Sequence, residues 1–198
     1  MSKNIIPSFE YLRDPFAVAR EVLLGATLCT RADGRLTTGK IVEAEVYIGA
    51  SDRACHAFRG KTPRNCVMFG AGGRAYVYFV YGMHDMFNVV TSEAGQPNAI
   101  LIRALEPIAG IETMQARRGI TNVRELCNGP AKLTQALGIT TKMNGADLTG
   151  AQVWIERRKG PRPEIAAGKR IGVDYAGEDA ELPWRFIIAG TPFVSRKI

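Results

Sequence analysis

The chain has 198 residues, of which 46% are apolar, and 26 Lys and Arg against 19 Asp and Glu give it a net charge of +7. This composition excludes a disordered chain and predicts one globular domain, residues 1–198, with a sizeable core. The positive charge favours a polyanionic partner, above all nucleic acid, although a basic protein with well-spread lysines is the alternative.

The N-terminal residues lack the apolar stretch of a secretory signal, and no apolar run reaches the ~20 residues of a membrane span. We therefore expect a cytoplasmic protein without a membrane partner, associated with the nucleoid if the source is a prokaryote. Its four cysteines form no CxxC pair, which favours free thiols over a disulfide or a metal site.

The first part of the chain predicts one helix followed by a hairpin. The helix is expected over residues 15–24, because proline suits its first position and a glycine follows it. Residues 26–47 indicate two strands around the Asp33-Gly34 turn. A polar loop follows over residues 49–65.

The rest of the chain predicts further strands with helices outside them. In order, we expect a strand over 74–82, a strand over 99–108, helices over 110–119 and 129–138, and a strand, turn and strand over 169–190. Most strands have hairpin spacing. The fold class is therefore predicted to be α+β, a single compact domain with a largely antiparallel sheet.

Residues 40–49 alternate between apolar side chains on one face and Glu43, Glu45 and Tyr47 on the other, which indicates a strand with one buried face. Two carboxylates ~7 Å apart on one face repel by about 2 kcal/mol at an effective dielectric near 20. A solvated strand face would screen that repulsion. The alternative is that one glutamate is kept for acid–base work, because a carboxylate can activate water and stabilise an oxocarbenium charge.

Common catalytic and cofactor motifs are missing from the sequence. Residues 70–75 fit the G-x-G-x-x-A form of the dinucleotide fingerprint, but they lead into a strand instead of opening a helix. There is no Walker A lysine, HExxH motif, nucleophile elbow or zinc-deaminase signature. With His56 and His84 as its only histidines, the chain is poorly suited to a histidine-rich metal site. We expect no metal and no cofactor, and chemistry performed by a carboxylate.

The segment YVYFVYGM places Tyr76 and Tyr78 on one strand face and Tyr81 at the strand end, next to Gly82. One interpretation is core tyrosines whose hydroxyls reach the surface. The other is a stacking platform with an aromatic at a loop tip. A base extruded from DNA must lie against flat side chains, and the gap that it leaves needs filling.

Taken together, these segments resemble the alkyladenine (3-methyladenine) DNA glycosylases from about Phe9 to Ser195. The resemblance implies a compact α+β domain with a curved antiparallel sheet. It also implies a monofunctional base-excision repair enzyme, expected to be a monomer. Its expected partner is double-stranded DNA containing damaged purines, namely 3-methyladenine, 7-methylguanine, hypoxanthine or ethenoadenine, whose excision leaves an abasic site. The segments that carry the resemblance are GKIVEAEVYIG, CHAFRGKTPRN, AYVYFVYGMH, FNVV, ILIRALEP, LCNGPAKLTQALGI, RIGVDYAGE and LPWRF.

The resemblance also implies the catalytic residues. Glu45 resembles the general base that deprotonates the attacking water, with Glu43 as its strand neighbour. Arg103 resembles the residue that helps to hold this water. The alternative for Arg103 is a structural ion pair with Glu106 or Glu45.

For the base pocket, Tyr47 and Tyr78 resemble the two stacking faces and His56 the edge that contacts the purine. Asn88 resembles the side chain that crowds the 2-amino group of guanine, and Tyr81 the residue inserted through the minor groove in place of the flipped nucleotide. Alternatively, His56 could satisfy a loop carbonyl and Asn88 could cap a turn.

Three basic residues, Arg64, Lys132 and Arg170, are predicted to contact the DNA backbone. Arg64 follows a Thr-Pro pair that could open a helical turn, and Lys132 lies in the first turn of a predicted helix, where a bound anion would offset the helix dipole. A solvated basic face is the alternative. Asp85 departs from the family pattern, and its charge four residues after Tyr81 should repel phosphates.

A different class of function is a protein that binds damaged bases or single-stranded nucleic acid without cutting it. The set of Glu45, Tyr47 and His56 favours an enzyme, because capture alone does not require a carboxylate that activates water.

Overall fold

The computed structural model describes residues 4–198, and within them one antiparallel sheet forms the frame of the molecule. Its strands are β1 Thr27–Ala32, β2 Arg35–Ile48, β3 Ala75–Val80, β4 His84–Thr91, β5 Asn98–Ala109, β6 Val153–Glu156, β7 Ile165–Gly168 and β8 Arg185–Ile188. The strand order is β3-β4-β5-β2-β1-β6, with β8 paired to β2 and β7 paired to β8. The sheet curls into a half-barrel with helices at its periphery, which confirms the predicted α+β fold.

The helices lie where the sequence predicts them. The first is α-helical over Pro15–Ala17 (α1) and continues as a π-helix over Val18–Leu23. The helices α2, Ile111–Arg118, and α3, Pro130–Leu137, each end at a glycine with a φ of 67°. Short 3₁₀ segments cover Ser8–Leu12, Gly49–Ser51, Cys66–Phe69, Val123–Glu125, Thr141–Met143 and Asp174–Glu181. Among residues 4–198, no helix has the length and apolar character needed to cross a bilayer.

The prediction of strand, turn and strand over 169–190 is wrong in its first half. Residues 169–173 form no strand, and the 3₁₀ segment Asp174–Glu181 follows them, whereas β8 confirms the final strand. Gly172 and Gly177 both have positive φ, which an extended strand does not accommodate. The chain instead folds over the end of β2.

Strand β2 exchanges neighbours along its length. Its first half, 35–40, pairs with β1, and residues 43–45 pair with β8, while β5 lies along the other edge. Both glutamates of this strand are fully buried, so the solvated strand face, one of the two alternatives that the sequence left open, is excluded. The physical reason is that two segments cover the face that the sequence pattern leaves polar: the loop 169–172, whose Ile171 N–H contacts Glu45, and the C-terminal segment, whose Ser195 contacts Glu43.

The pairing of β2 with β5 is irregular beside these glutamates. The register runs Ile41 to Leu105, Glu43 to Ala104 and then Ala44 to Ile102, so it skips Val42 on one strand and Arg103 on the other. Bulges of this kind turn a side chain away from the regular pleat. Here the irregularity brings the Arg103 guanidinium against the glutamates of β2.

The sheet separates the core from the cavity described below. The main apolar cluster joins Val46 of β2 to Leu133 and Leu137 of α3. On the opposite face, a smaller cluster contains Tyr76, with Tyr47 and Tyr78 packed against it. The large core therefore fixes the strands, and the smaller cluster fixes the aromatic side chains that border the cavity.

Candidate active site

A cavity of about 410 Å³ opens on the sheet face opposite the main core, and its volume is typical of a small-molecule site. Strands β2 to β5 form its floor, and two loops close its sides. The predicted site residues on its wall are Tyr47, His56, Arg64, Tyr78, Tyr81, Asn88 and Arg103. The structure therefore brings together most of the site residues predicted from the sequence, although they come from segments far apart in the chain.

Glu45 lies directly behind this wall and is fully buried. Its Oε2 accepts hydrogen bonds from the Tyr47 hydroxyl at 2.8 Å and from Arg103 Nη1 at 3.1 Å, and its Oε1 accepts one from the Ile171 backbone N–H at 2.8 Å. Burial raises the pKa of the Glu45 carboxyl, the charge of Glu43 adds to this, and the three donors oppose it. A carboxylate with a raised pKa beside a cavity has the properties of a general base.

Arg103 joins the two glutamates. Its Nε donates to Glu43 Oε1 at 3.1 Å, while its Nη1 donates to Glu45. Burial disfavours the charge of Arg103, but the two carboxylates outweigh burial and raise its pKa, so the guanidinium stays charged. The structural ion pair with Glu45 that the sequence left open therefore exists, and the same side chain also lines the cavity. No ion pair joins Arg103 to Glu106, whose partner is Lys40.

The aromatic residues form one corner of the cavity. The Tyr78 and His56 ring centroids lie 4.5 Å apart, and the Arg64 guanidinium lies 5.1 Å from the Tyr78 centroid. His56 Nδ1 is hydrogen-bonded to the Tyr76 hydroxyl at 2.9 Å. The surrounding protein and Arg64 lower the pKa of His56, so the ring is neutral at pH 7 although its outer edge is exposed. A neutral ring tied at Nδ1 offers a ligand one polar atom, Nε2.

Asn88 is held in the sheet and does not cap a turn. It lies in β4 opposite Tyr76, and its Nδ2 donates to the Tyr76 carbonyl at 3.1 Å. The side chain is buried and borders the cavity. Because a strand and a hydrogen bond fix it, Asn88 can restrict the shape of a ligand without moving.

Tyr81 lies at the tip of the β3–β4 hairpin. Tyr81 and Gly82 have φ values of 54° and 68°, as in a tight hairpin turn, and the Tyr81 side chain is 80% exposed. A core position for Tyr81 is thereby excluded. The ring projects from the rim of the cavity.

The three predicted phosphate ligands have different surroundings. Arg64 is exposed at the cavity rim, where its Nη2 donates to the Phe79 carbonyl at 3.2 Å. Lys132 is half-buried in the first turn of α3, and its Nζ donates to Asn128 Oδ1 at 2.8 Å. Both ammonium and guanidinium groups lie close enough to the surface to accept a further anionic partner.

Arg170 does not fit its predicted contact with the DNA backbone, because its side chain is completely buried. Its Nη1 and Nη2 donate to the two carboxylate oxygens of Asp52 at 2.5 and 2.9 Å. The guanidinium carbon lies 4.8 Å from the Tyr47 ring centroid and 4.9 Å from that of Trp184. Arg170 thus supports Tyr47 from within the protein, and its burial argues against a phosphate contact.

The comparisons with known proteins bear on this site directly. The sequence model of the family described as methylpurine-DNA glycosylase (MPG) matches residues 9–192. The chain belongs to this family. This membership makes it a DNA glycosylase, a hydrolase of DNA repair that acts on DNA.

Relatives of this glycosylase match it over nearly their whole length. One from Carboxydothermus hydrogenoformans is 49% identical over 195 residues, which cover 98% of this chain and 100% of the relative. One from Methanocella arvoryzae is 46% identical over 196 residues, which cover 98% and 96% of the two chains. Both are named "Putative 3-methyladenine DNA glycosylase".

Several residues at the site were missed by the sequence reasoning. Asp52 forms an ion pair with Arg170, 118 positions away in the chain. Tyr175 lies at the cavity rim and is 71% exposed, and its hydroxyl donates to the Ala54 carbonyl at 3.2 Å. Ser195 contacts Glu43 across 152 positions. Contacts between residues so far apart in the chain cannot be predicted from local sequence spacing. Within residues 4–198 there is no group of three or more His, Cys, Asp or Glu placed to hold a metal ion.

Proposed function

We propose that this glycosylase is monofunctional and acts on double-stranded DNA containing damaged purines. It flips the damaged nucleotide into the cavity, and water activated by Glu45 hydrolyses the bond between base and deoxyribose, leaving an abasic site. The observation that carries this proposal is a buried carboxylate of raised pKa, hydrogen-bonded to Tyr47 and Arg103, which both line an aromatic cavity.

The chemistry follows from the ionised form of Glu45. As the bond between C1′ and the base nitrogen breaks, the sugar acquires oxocarbenium character, which a nearby carboxylate stabilises. Glu45 takes a proton from the water that adds to C1′, and the departing purine leaves with the bonding electrons. Arg103 helps to hold that water. A glycosylase that also cuts the DNA strand uses an amine to form a Schiff base, whereas a carboxylate acts through water.

The cavity favours alkylated and deaminated purines. Tyr47 and Tyr78 offer flat, electron-rich faces, and 3-methyladenine and 7-methylguanine carry a positive charge that such faces attract. Neutral lesions such as hypoxanthine and ethenoadenine depend on stacking and on a polar contact with His56. Asn88 excludes undamaged guanine by crowding its 2-amino group.

Residues at the rim engage the duplex. Tyr81 occupies the gap left by the flipped nucleotide, because it projects from a tight turn with little of its ring packed. Arg64 and Lys132 contact the phosphates on either side. We further propose that the enzyme acts as a cytoplasmic monomer.

The proposal is tested with duplexes that carry one defined lesion, with abasic sites revealed by alkali. Glu45→Gln keeps the shape of the side chain and loses the base, so base release should fall on the order of a hundredfold or more while lesion binding persists. Glu43→Gln is the matched control and should lose much less. Equal activity of the two variants, or a larger loss in Glu43→Gln, would refute the assignment of Glu45. Wild-type protein that binds every lesion and releases none would identify a binding protein.

A further inference from the structure

The C-terminal segment returns to the catalytic strand and contacts Glu43. The Ser195 backbone N–H donates to Glu43 Oε2 at 2.6 Å, and its hydroxyl donates to Glu43 Oε1 at 2.7 Å. Arg185 Nη1 donates to the same Oε1 at 3.2 Å and to the Arg196 carbonyl at 2.9 Å. Together with Arg103 Nε, these donors surround a carboxylate that is fully buried.

These contacts matter because Arg103 is shared between two carboxylates. Its Nε donates a hydrogen bond to Glu43 Oε1 and its Nη1 donates one to Glu45 Oε2, each at 3.1 Å. Removing a hydrogen-bond donor from a buried carboxylate costs free energy unless another donor takes its place. If Ser195 were absent, Glu43 would attract the Arg103 guanidinium more strongly, and Glu45 would lose part of its partner.

We propose that Ser195 is a positioning residue for base release: its hydroxyl holds Glu43, Glu43 holds Arg103, and Arg103 thereby stays in place against Glu45 at the cavity. Ser195 itself does not line the cavity. This inference rests on the proposed role of Glu45 as the general base.

The rate of base release should depend on pH through the charged and titratable groups near Glu45. They are Glu43 and Tyr47 on its own strand, Arg103 on β5, Arg185 opposite it on β8, Tyr78 on β3, and Arg170 in the loop after β7. Base release requires ionised Glu45, so the rate is present above its pKa and is lost as pH falls through that pKa. Weaker pairing with Arg103 raises the pKa further and moves the acid limb of the rate profile to higher pH.

The test uses the full chain and compares Ser195→Ala with Ser195→Thr, which keeps the hydroxyl. Single-turnover base release is measured from pH 5 to 9 with enzyme in excess, beside lesion-duplex binding and melting temperature. Ser195→Ala should slow release about tenfold at neutral pH, the scale of one hydrogen bond to a charged group, and shift the acid limb upward with binding unchanged. Ser195→Thr should restore both. Thr191→Ala is the matched control, because the Thr191 hydroxyl lies in the same segment and accepts a hydrogen bond from the Phe193 backbone N–H.

A second measurement separates positioning from folding. If Ser195 acts through Glu43, adding Ser195→Ala to Glu43→Gln should cost less than twofold, whereas independent effects would multiply. Should Ser195→Ala melt early, Ser195→Cys keeps the volume with a weaker donor and should give an intermediate rate and pH shift.

Three outcomes overturn the inference. They are a wild-type rate profile in Ser195→Ala, a lower melting temperature with an unchanged pH profile, and multiplicative losses in the double variant. These failures are distinct from failure of the proposed function, which is shown by an active Glu45→Gln variant. An inactive Glu45→Gln beside a wild-type-like Ser195→Ala removes only the positioning role.

Discussion

The placement of Arg170 gives the sharpest test of the structure, because the sequence indicated a phosphate contact and the fold indicates a buried ion pair. Arg170→Met keeps the length of the side chain and removes the charge. Asp52 would then remain fully buried, with only the Ile48 and Ala54 backbone N–H groups as donors. The change therefore leaves the Asp52 carboxylate buried without its cationic partner.

The magnitude follows from this arrangement. Breaking a buried pair by removing one partner costs about 3–5 kcal/mol, because the remaining charge is uncompensated. For a chain of 198 residues, each kcal/mol lowers the melting temperature by about 2–4 °C, so Arg170→Met should lose about 6–20 °C. Adding Asp52→Asn removes the stranded charge and should recover about half of the loss.

The assay combines thermal unfolding with the salt dependence of lesion-duplex binding, measured well below the melting temperature. A phosphate contact contributes about −0.9 to the slope of log affinity against log salt. We expect the slope of Arg170→Met to stay at the wild-type value. A melting temperature within 2 °C of wild type, together with a slope reduced by about one, would refute the buried pair and restore the phosphate contact.

Three further predictions concern the DNA-facing residues. Tyr81→Ser should leave the melting temperature nearly unchanged, because the ring is 80% exposed. It should reduce base release most for well-paired lesions and least for mismatched ones, and equal losses on both would exclude insertion. Asn88→Ser should open the pocket to guanine, so release of undamaged guanine from a mismatch should become measurable, and its absence would count against the gate. Lys132→Ala should reduce the slope of log affinity against log salt by about one, and Lys132→Arg is the control that preserves the charge. An unchanged slope in Lys132→Ala would show that Lys132 does not contact the DNA.

The sequence predicted local structure where the physical cause is local. The turn at Asp33-Gly34 and the helix ends at Gly119 and Gly138 depend on residues with positive φ, and the structure has them there. The side of β3 that carries Tyr76 and Tyr78 follows from strand alternation alone. These features require no knowledge of the rest of the chain.

The sequence could not predict features that depend on which segments meet. Glu43 and Glu45 alternate with apolar residues as on any half-exposed strand, but the loop 169–172 and the C-terminal segment around Ser195 cover that face. Arg170 looks like any basic residue of a predicted strand until Asp52, 118 positions away, is placed against it. Glu45 and Arg103, the proposed catalytic pair, were assigned through the resemblance, whereas the buried residues that contact them were found only in the fold.

The neighbouring glutamates that looked unfavourable in the sequence have a physical explanation in the folded site. At an effective dielectric near 20, each carboxylate about 4 Å from the Arg103 guanidinium gains about 4 kcal/mol, which exceeds the repulsion of about 2 kcal/mol between the two carboxylates. Glu45 paired with Arg103 alone would have a lower pKa and would be a weaker base. Burial is the main cause that raises the pKa of Glu45, and Glu43, which shares the guanidinium, adds to the rise through its own negative charge. The second glutamate therefore contributes to the basicity that the proposed role of Glu45 requires, while Arg185 and Ser195 donate hydrogen bonds to that second carboxylate.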